Sequence, residues 1–182
     1  MTSVRVGMGQ MLVVPGERAA NLARAADMVR RAAAAGCDLV VLPECLDLGW
    51  THASARTQAQ PVPGPTSDAL AELARTHGVM VAAGLVERAG DRIHNAAVLL
   101  SAQGEVLLHH RKINELDFAL ALYSPGTTLG VAETPIGVVG MNICADNLPT
   151  SPALGQALGH MGAQLVVSPS AWAVPPTHDN DR

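Results

Sequence analysis

Aromatic side chains are nearly absent from this 182-residue chain: Trp50, Trp172, Tyr123 and Phe118 amount to 2% of it. That excludes the stacking platforms that hold single-stranded nucleic acid. Charge is sparse too, at 15%, and the net charge of −4 offers no electrostatic case for nucleic acid or an anionic membrane. No apolar run approaches the ~20 residues of a membrane span. The first residues, MTSVRVGMGQMLVVPGE, lack the pattern of a secretory leader. The three cysteines, Cys37, Cys45 and Cys144, have no CxxC spacing, so neither a disulfide framework nor a thiolate zinc site is expected. A reducing cytoplasm is the expected compartment. The seven histidines show neither HxxxH nor HExxH, and His109-His110 on a strand would point apart, so no metal site is expected. GxSxG is missing, which leaves a serine hydrolase unsupported. GMGQML at 7–12 ends on Leu12 and fails the dinucleotide fingerprint.

What is abundant is aliphatic. Hydrophobic residues make up 48% of the chain, the composition of a globular core, and the length predicts one domain over 1–182. Val4–Val14 reads as a buried strand, and Glu17–Ala35 carries helical spacing that stops at Gly36. Leu39–Leu42 is a short strand covered on both faces. After a Pro/Gly loop, Ser67 is the expected N-cap of a helix over Asp68–His77. Val79–Val86, Arg92–Leu100 and Val106–Leu108 read as a meander. Val131–Thr134 and Ile136–Ile143 follow as strands, Pro149–Met161 as a helix and Ala163–Val167 as a strand, ahead of a polar tail, PPTHDNDR. The sum is an α/β fold with a mixed sheet.

In open α/β sheets, functional residues gather at the carboxyl ends of strands. Three such ends carry reactive groups: Glu44, Lys112 and Cys144. A thiol needs a base, and a cation lowers its pKa or holds an oxyanion. Each residue also has a plainer reading: a small core thiol, a turn carboxylate, a solvated lysine. Cys37 and Cys45 keep the plain one, although Cys45 adjoins Glu44.

The surrounding residues decide between these readings. VVLPE at 40–44, HRKINELD at 110–117, YSPG at 123–126, GMNICADNLP at 140–149 and GAQLVVSPSAW at 162–172 stand in one order and register. In these motifs the chain resembles the carbon–nitrogen hydrolase (nitrilase) superfamily. The resemblance implies a Glu44–Lys112–Cys144 triad, no metal or organic cofactor, and an α-β-β-α sandwich with mixed sheets whose protomers pair through helices as a homodimer or larger homo-oligomer. It further implies that Glu44 is the general base, Cys144 forms a thioester, and Lys112 with the Ala145 N–H holds the oxyanion.

The chain departs from the pattern in places. Many members carry a second Glu before the Pro-Gly turn; Phe118–Leu122 holds no acid, and Glu115 is either its substitute or a surface residue. The aromatic and the Arg that often flank the acid after the nucleophile are missing, though Asp146 fits the acid, whose plain reading is a helix N-terminal charge. A pocket wall of Trp50, Asp146, Asn147 and Trp172, suited to a substrate needing no cation there, is expected. For the two tryptophans, plain core or interface packing is the other reading. Members also continue past SPSAW, so the domain is expected to be incomplete at its C-terminus, with His178, Asp179 and Asn180 near the site. The expected activity is hydrolysis of a small amide or N-carbamoyl compound. The alternatives are nitrile hydrolysis by the same triad, acyl transfer from the same thioester, or a silent fragment acting as an assembly module.

Overall fold

Most strands of this chain carry apolar residues on successive positions, and the fold covers both of their faces. The computed structural model describes residues 3–172. The chain runs through β1 (Val6–Met8), α1 (Arg18–Ala34), β2 (Leu39–Val41), the single turn α2 (Ala55–Gln58) and α3 (Pro65–His77). It continues through β3 (Met80–Ala89), β4 (Arg92–Leu100), β5 (Val106–Arg111), β6 (Val131–Thr134), β7 (Gly137–Met141), α4 (Pro152–His160) and β8 (Leu165–Val167).

A five-stranded sheet has the order β1-β2-β3-β4-β5; its first two pairings are parallel and the last two antiparallel, the expected meander. A three-stranded sheet pairs β6 antiparallel to β7 and β7 parallel to β8. The period-2 alternation of strands then sorts the core into layers. Val40, Val81, Ala83, Val98 and Leu100 face Ala25 and Val29 of α1 and Leu70 and Ala74 of α3. Their neighbours Leu39, Met80, Ala82, Ala97 and Leu99 face Val139, Met141, Ile143 and Val167 of the second sheet and its junction. Gly140 points out of that sheet, where a Cβ would lie 3.2 Å from Leu158 Cδ2 of α4. The layering is therefore helix, sheet, sheet, helix, with each sheet keeping its mixed strand directions. Leu99 is fully buried between the sheets; removing such a side chain typically costs about 2–5 kcal/mol.

Several boundaries differ from the sequence reading. The first strand is only Val6–Met8, and it is not buried: Met8 is 91% exposed. Among the described residues β1 is an edge strand pairing with β2 alone, so one side of its ladder and part of its surface are uncovered. Helix α3 starts at Pro65, with proline in its favoured first turn. Ser67 therefore lies inside that turn, where its Oγ accepts the Gly64 N–H at 2.9 Å. The fourth helix begins at Pro152, three residues later than expected. His109 and His110 do point to opposite faces, toward Glu87 and Asp146 respectively. The tail from 175 onward, with His178, Asp179 and Asn180, lies outside the described residues.

Candidate active site

The loops leaving β2, β5 and β7 converge at one end of the two sheets. Glu44 sits in the first loop, which lies directly on β3. Gly84 N–H donates to the Pro43 carbonyl at 3.0 Å, and Leu46 N–H donates to the Gly84 carbonyl at 3.0 Å. A Cβ on Gly84 would stand 2.5 Å from Glu44 Cα, so only glycine lets this loop come so close. Glu44 is 1% exposed, and both of its carboxylate oxygens are hydrogen-bonded. Oε1 accepts from Lys112 Nζ at 2.7 Å and from Asn95 Nδ2 at 2.6 Å, while Oε2 accepts from the Ala171 N–H at 2.9 Å.

Lys112 follows β5 and is equally buried. Its backbone is held by Asn95 of β4 and by the Gly126 N–H, which donates to the Lys112 carbonyl at 2.7 Å. Burial works against the ammonium, but the charges of Glu44 and Glu115 outweigh it and raise its pKa. Glu115 Oε2 stands 3.7 Å from Nζ, and the Trp50 ring lies 5.6 Å away from it. Trp50 is in turn braced edge-on by Phe118, with centroids 5.3 Å apart.

Cys144 follows Ile143 at the end of β7 and opens a 3-10 turn over Cys144–Asn147. Its φ of +40° is a conformation a cysteine rarely adopts, costing on the order of 1–2 kcal/mol. The surroundings enforce it: the Cys144 N–H donates to Ser168 Oγ at 3.1 Å, and the Ile143 N–H donates to Asp146 Oδ2 at 3.0 Å. Burial, and then the charge of Glu44, push the thiol up to about 11, with Lys112 opposing. The thiol is therefore protonated near neutral pH, and its chemistry needs a base to take that proton.

A cavity of about 690 Å³ opens over these groups. Lys112, Cys144, Ala145, Trp50 and Trp172 share its wall with Met11, Val13, Pro43, Leu116, Leu148 and a few polar groups. Ala145 is thus beside the nucleophile candidate, and among the described residues no acceptor meets its N–H. Both tryptophans stand on the wall, Trp172 at the rim and 73% exposed.

Two of the expected pocket residues are elsewhere. Asp146 is fully buried behind the turn, where its oxygens accept from His110 Nε2 and the N–H groups of Ile113, Asn114 and Ile143. An acid with four donors is turned inward by them, away from the cavity. Asn147 is drawn off by Asn142, whose Oδ1 accepts from it at 2.9 Å, and by Ser168 Oγ at 2.7 Å. The open question about Glu115 closes on one side: its side chain has no exposure, so it is not a surface residue. Neither of its oxygens has a hydrogen-bond partner among the described residues, and burial lifts its pKa to about 7.

The sequence reading missed Asn95, Ser168 and the Ala171 N–H. The signals were polar Asn95 and His94 inside the apolar strand RIHNAAVLL, and the SPSAW motif, which contains Ser168 and Ala171. Asn95 also accepts from the buried Cys45 thiol at 3.4 Å, which places that cysteine behind Glu44 rather than in the cavity.

Comparison with known proteins gives a consistent result. Omega-amidase NIT2 of Danio rerio is 32% identical over 165 residues, 85% of this chain and 59% of that protein. Nitrilase 2 of Arabidopsis thaliana is 31% identical, covering 93% of this chain and 56% of its own length. The chain thus spans less than two thirds of the length of these curated relatives. The crystal structure of Saccharomyces cerevisiae Nit3 superposes with a TM-score of 0.82 at 27% identity, over 94% of this chain and 65% of that one. An amidase from Nesterenkonia sp. AN1 has the same fold, with a TM-score of 0.84 at 24% identity, over 96% and 69% of the two chains. The carbon-nitrogen hydrolase description matches residues 5–179, and with the layered fold and the converging motifs this chain belongs to the carbon–nitrogen hydrolase family of the nitrilase superfamily.

Proposed function

We propose that residues 1–182 belong to one catalytic domain, as the N-terminal part of it, that hydrolyses a small amide through a thioester on Cys144. The observation that carries the reading is the 2.7 Å contact of buried Lys112 with buried Glu44, beside a half-buried thiol on one cavity wall. An isolated structural ion pair is not expected beside an apolar cavity, since burying two charges costs several kcal/mol per ion before their attraction is counted.

Glu44 takes the proton of the Cys144 thiol as sulfur attacks the amide carbon. The resulting oxyanion is held by the Lys112 ammonium and the Ala145 N–H. Glu44 then hands its proton to the leaving nitrogen, the C–N bond breaks, and ammonia or an amine departs. Glu44 next deprotonates water, which attacks the thioester. Collapse of this second adduct breaks the C–S bond, releases the acid and returns the proton to sulfur.

The names of the similar omega-amidase and amidase support the amide over the nitrile, although one similar protein is named a nitrilase. None of the described helices is long and apolar enough to cross a membrane. We place the protein in the cytoplasm as a homo-oligomer; the exposed Met8, Leu12 and Val166 are the support for assembly.

The test is ammonia release from simple amides by the 182-residue chain and by Cys144→Ala, with the nitriles in parallel. Turnover confined to the native protein, with a hydroxamate formed when hydroxylamine is added, is the expected result. Turnover that survives Cys144→Ala removes the thioester, and turnover of nitriles alone replaces the amide.

A further inference from the structure

The substrate's acyl group follows from the charge and lining of the same cavity, and this inference rests on the amide-hydrolase reading above. Among the described residues, Lys112 is the single cation on the wall, and it is already engaged at 2.7 Å by Glu44 and at 3.7 Å by Glu115. Two buried carboxylates therefore flank one ammonium. Among the described residues, a carboxylate brought in on a substrate would find no unengaged cation and would face the field of both acids. The rest of the wall is mostly apolar and offers no charge: Met11, Val13, Trp50, Leu116, Leu148 and Trp172. The polar groups present, Gln10 and Ser170, are neutral. Asp146 and Asn147, the two residues after the turn that could have added polarity, are both turned away and hydrogen-bonded elsewhere.

We infer that the cavity selects primary amides whose acyl group is uncharged and apolar, several carbons long, and rejects amides of dicarboxylic acids that keep a free carboxylate. Each added methylene gains burial against the aliphatic wall, whereas the free carboxylate loses its water without gaining a partner.

The experiment compares kcat/KM for acetamide, hexanamide and succinamate with the full 182-residue chain. Hexanamide should exceed acetamide by roughly tenfold or more, the scale on which hydrophobic pockets discriminate, and succinamate should fall roughly 100-fold or more below hexanamide. Succinamate equal to or faster than hexanamide overturns the inference, as does acetamide equal to hexanamide. A second measurement separates this inference from the hydrolase reading, because it needs no turnover. Cys144 is alkylated with iodoacetamide and with iodoacetate, and each rate is divided by that of the same reagent with glutathione. A normalised rate for iodoacetate at least ~10-fold below that for iodoacetamide is expected, even if no amide is hydrolysed. Equal normalised rates, or iodoacetate the faster, overturn the selectivity whatever the turnover results.

Discussion

Asp146 holds the backbone of Asn114: its Oδ1 accepts the Asn114 N–H at 2.8 Å. The contact joins the turn that begins at Cys144 to the loop that begins at Lys112, two segments carried by different sheets. Asp146 has its pKa lowered although burial opposes this, because His110 and three backbone N–H groups hold the ionised form. Asp146→Ala should cost about 3–5 kcal/mol of stability, since it strands buried donors and a buried partner. Thermal or urea unfolding reads this directly, and a loss under about 1 kcal/mol would show that the two segments hold their places without it.

Glu44→Gln separates two properties of the thiol. Amide turnover should fall by roughly 10²–10⁴-fold if Glu44 is the general base, as proposed. The thiol itself should ionise more readily, because the Glu44 charge is one of the causes that raise its pKa. The pH midpoint of Cys144 alkylation should therefore move down from its raised native position as turnover collapses. Unchanged turnover would remove Glu44 as the general base, and an unmoved midpoint would show that its charge does not hold the thiol up.

On the proposed mechanism Lys112→Met removes an oxyanion donor, and it leaves Glu44 without its cation. The expected loss in kcat is roughly 10²–10³-fold, the effect of one such donor. An unchanged kcat with an intact fold would assign Lys112 to charge balance alone.

Stability should fall as pH rises through the weakly acidic range. Glu115 has its pKa raised from 4.5 to about 7 and Asp47 from 3.8 to about 6, both first by burial. Below the unfolded values each carboxyl is protonated in both states and has no effect. Between the unfolded and folded values the folded chain binds more protons, so each group progressively destabilises the fold until its folded value is passed. For Glu115 the full effect is about 3 kcal/mol. Glu115→Gln should therefore be more stable than the native chain at pH 8 and nearly equal to it at pH 4. Glu87 works in the other direction. Its carboxylate is held down to about 2 by Arg111 and His109 against the opposing effect of burial, so it stabilises above pH 4.5 and loses that as pH falls toward 2. Urea midpoints of both proteins across pH 4–8 check the sign, and parallel curves would show that Glu115 does not titrate in this window.

The local patterns in the sequence carried much of this molecule. Gly36 and Gly78 stop their helices in left-handed conformations, as read from the chain. The three-strand meander and the apolar runs that mark strands covered on both faces need only short-range alternation. The motifs VVLPE, HRKINELD and GMNICADNLP, through their resemblance to the carbon–nitrogen hydrolase family, single out Glu44, Lys112 and Cys144 as candidates, and each lies just after a strand, where α/β folds present side chains.

What the sequence by itself determined, then, was the element order and the choice of candidate reactive groups. Only the tertiary structure decided their surroundings, because these depend on contacts between residues far apart in the chain. Asn95 reaches Glu44 across 51 positions, and the Ala171 N–H reaches it across 127. Asp146 looked like a pocket acid until His110 and the lysine loop were seen to claim it. Glu115 could have been a surface charge until folding removed it from water beside Lys112. The exposed first strand was equally illegible, since an edge and an interior strand share one apolar pattern and differ only in which neighbours the fold supplies.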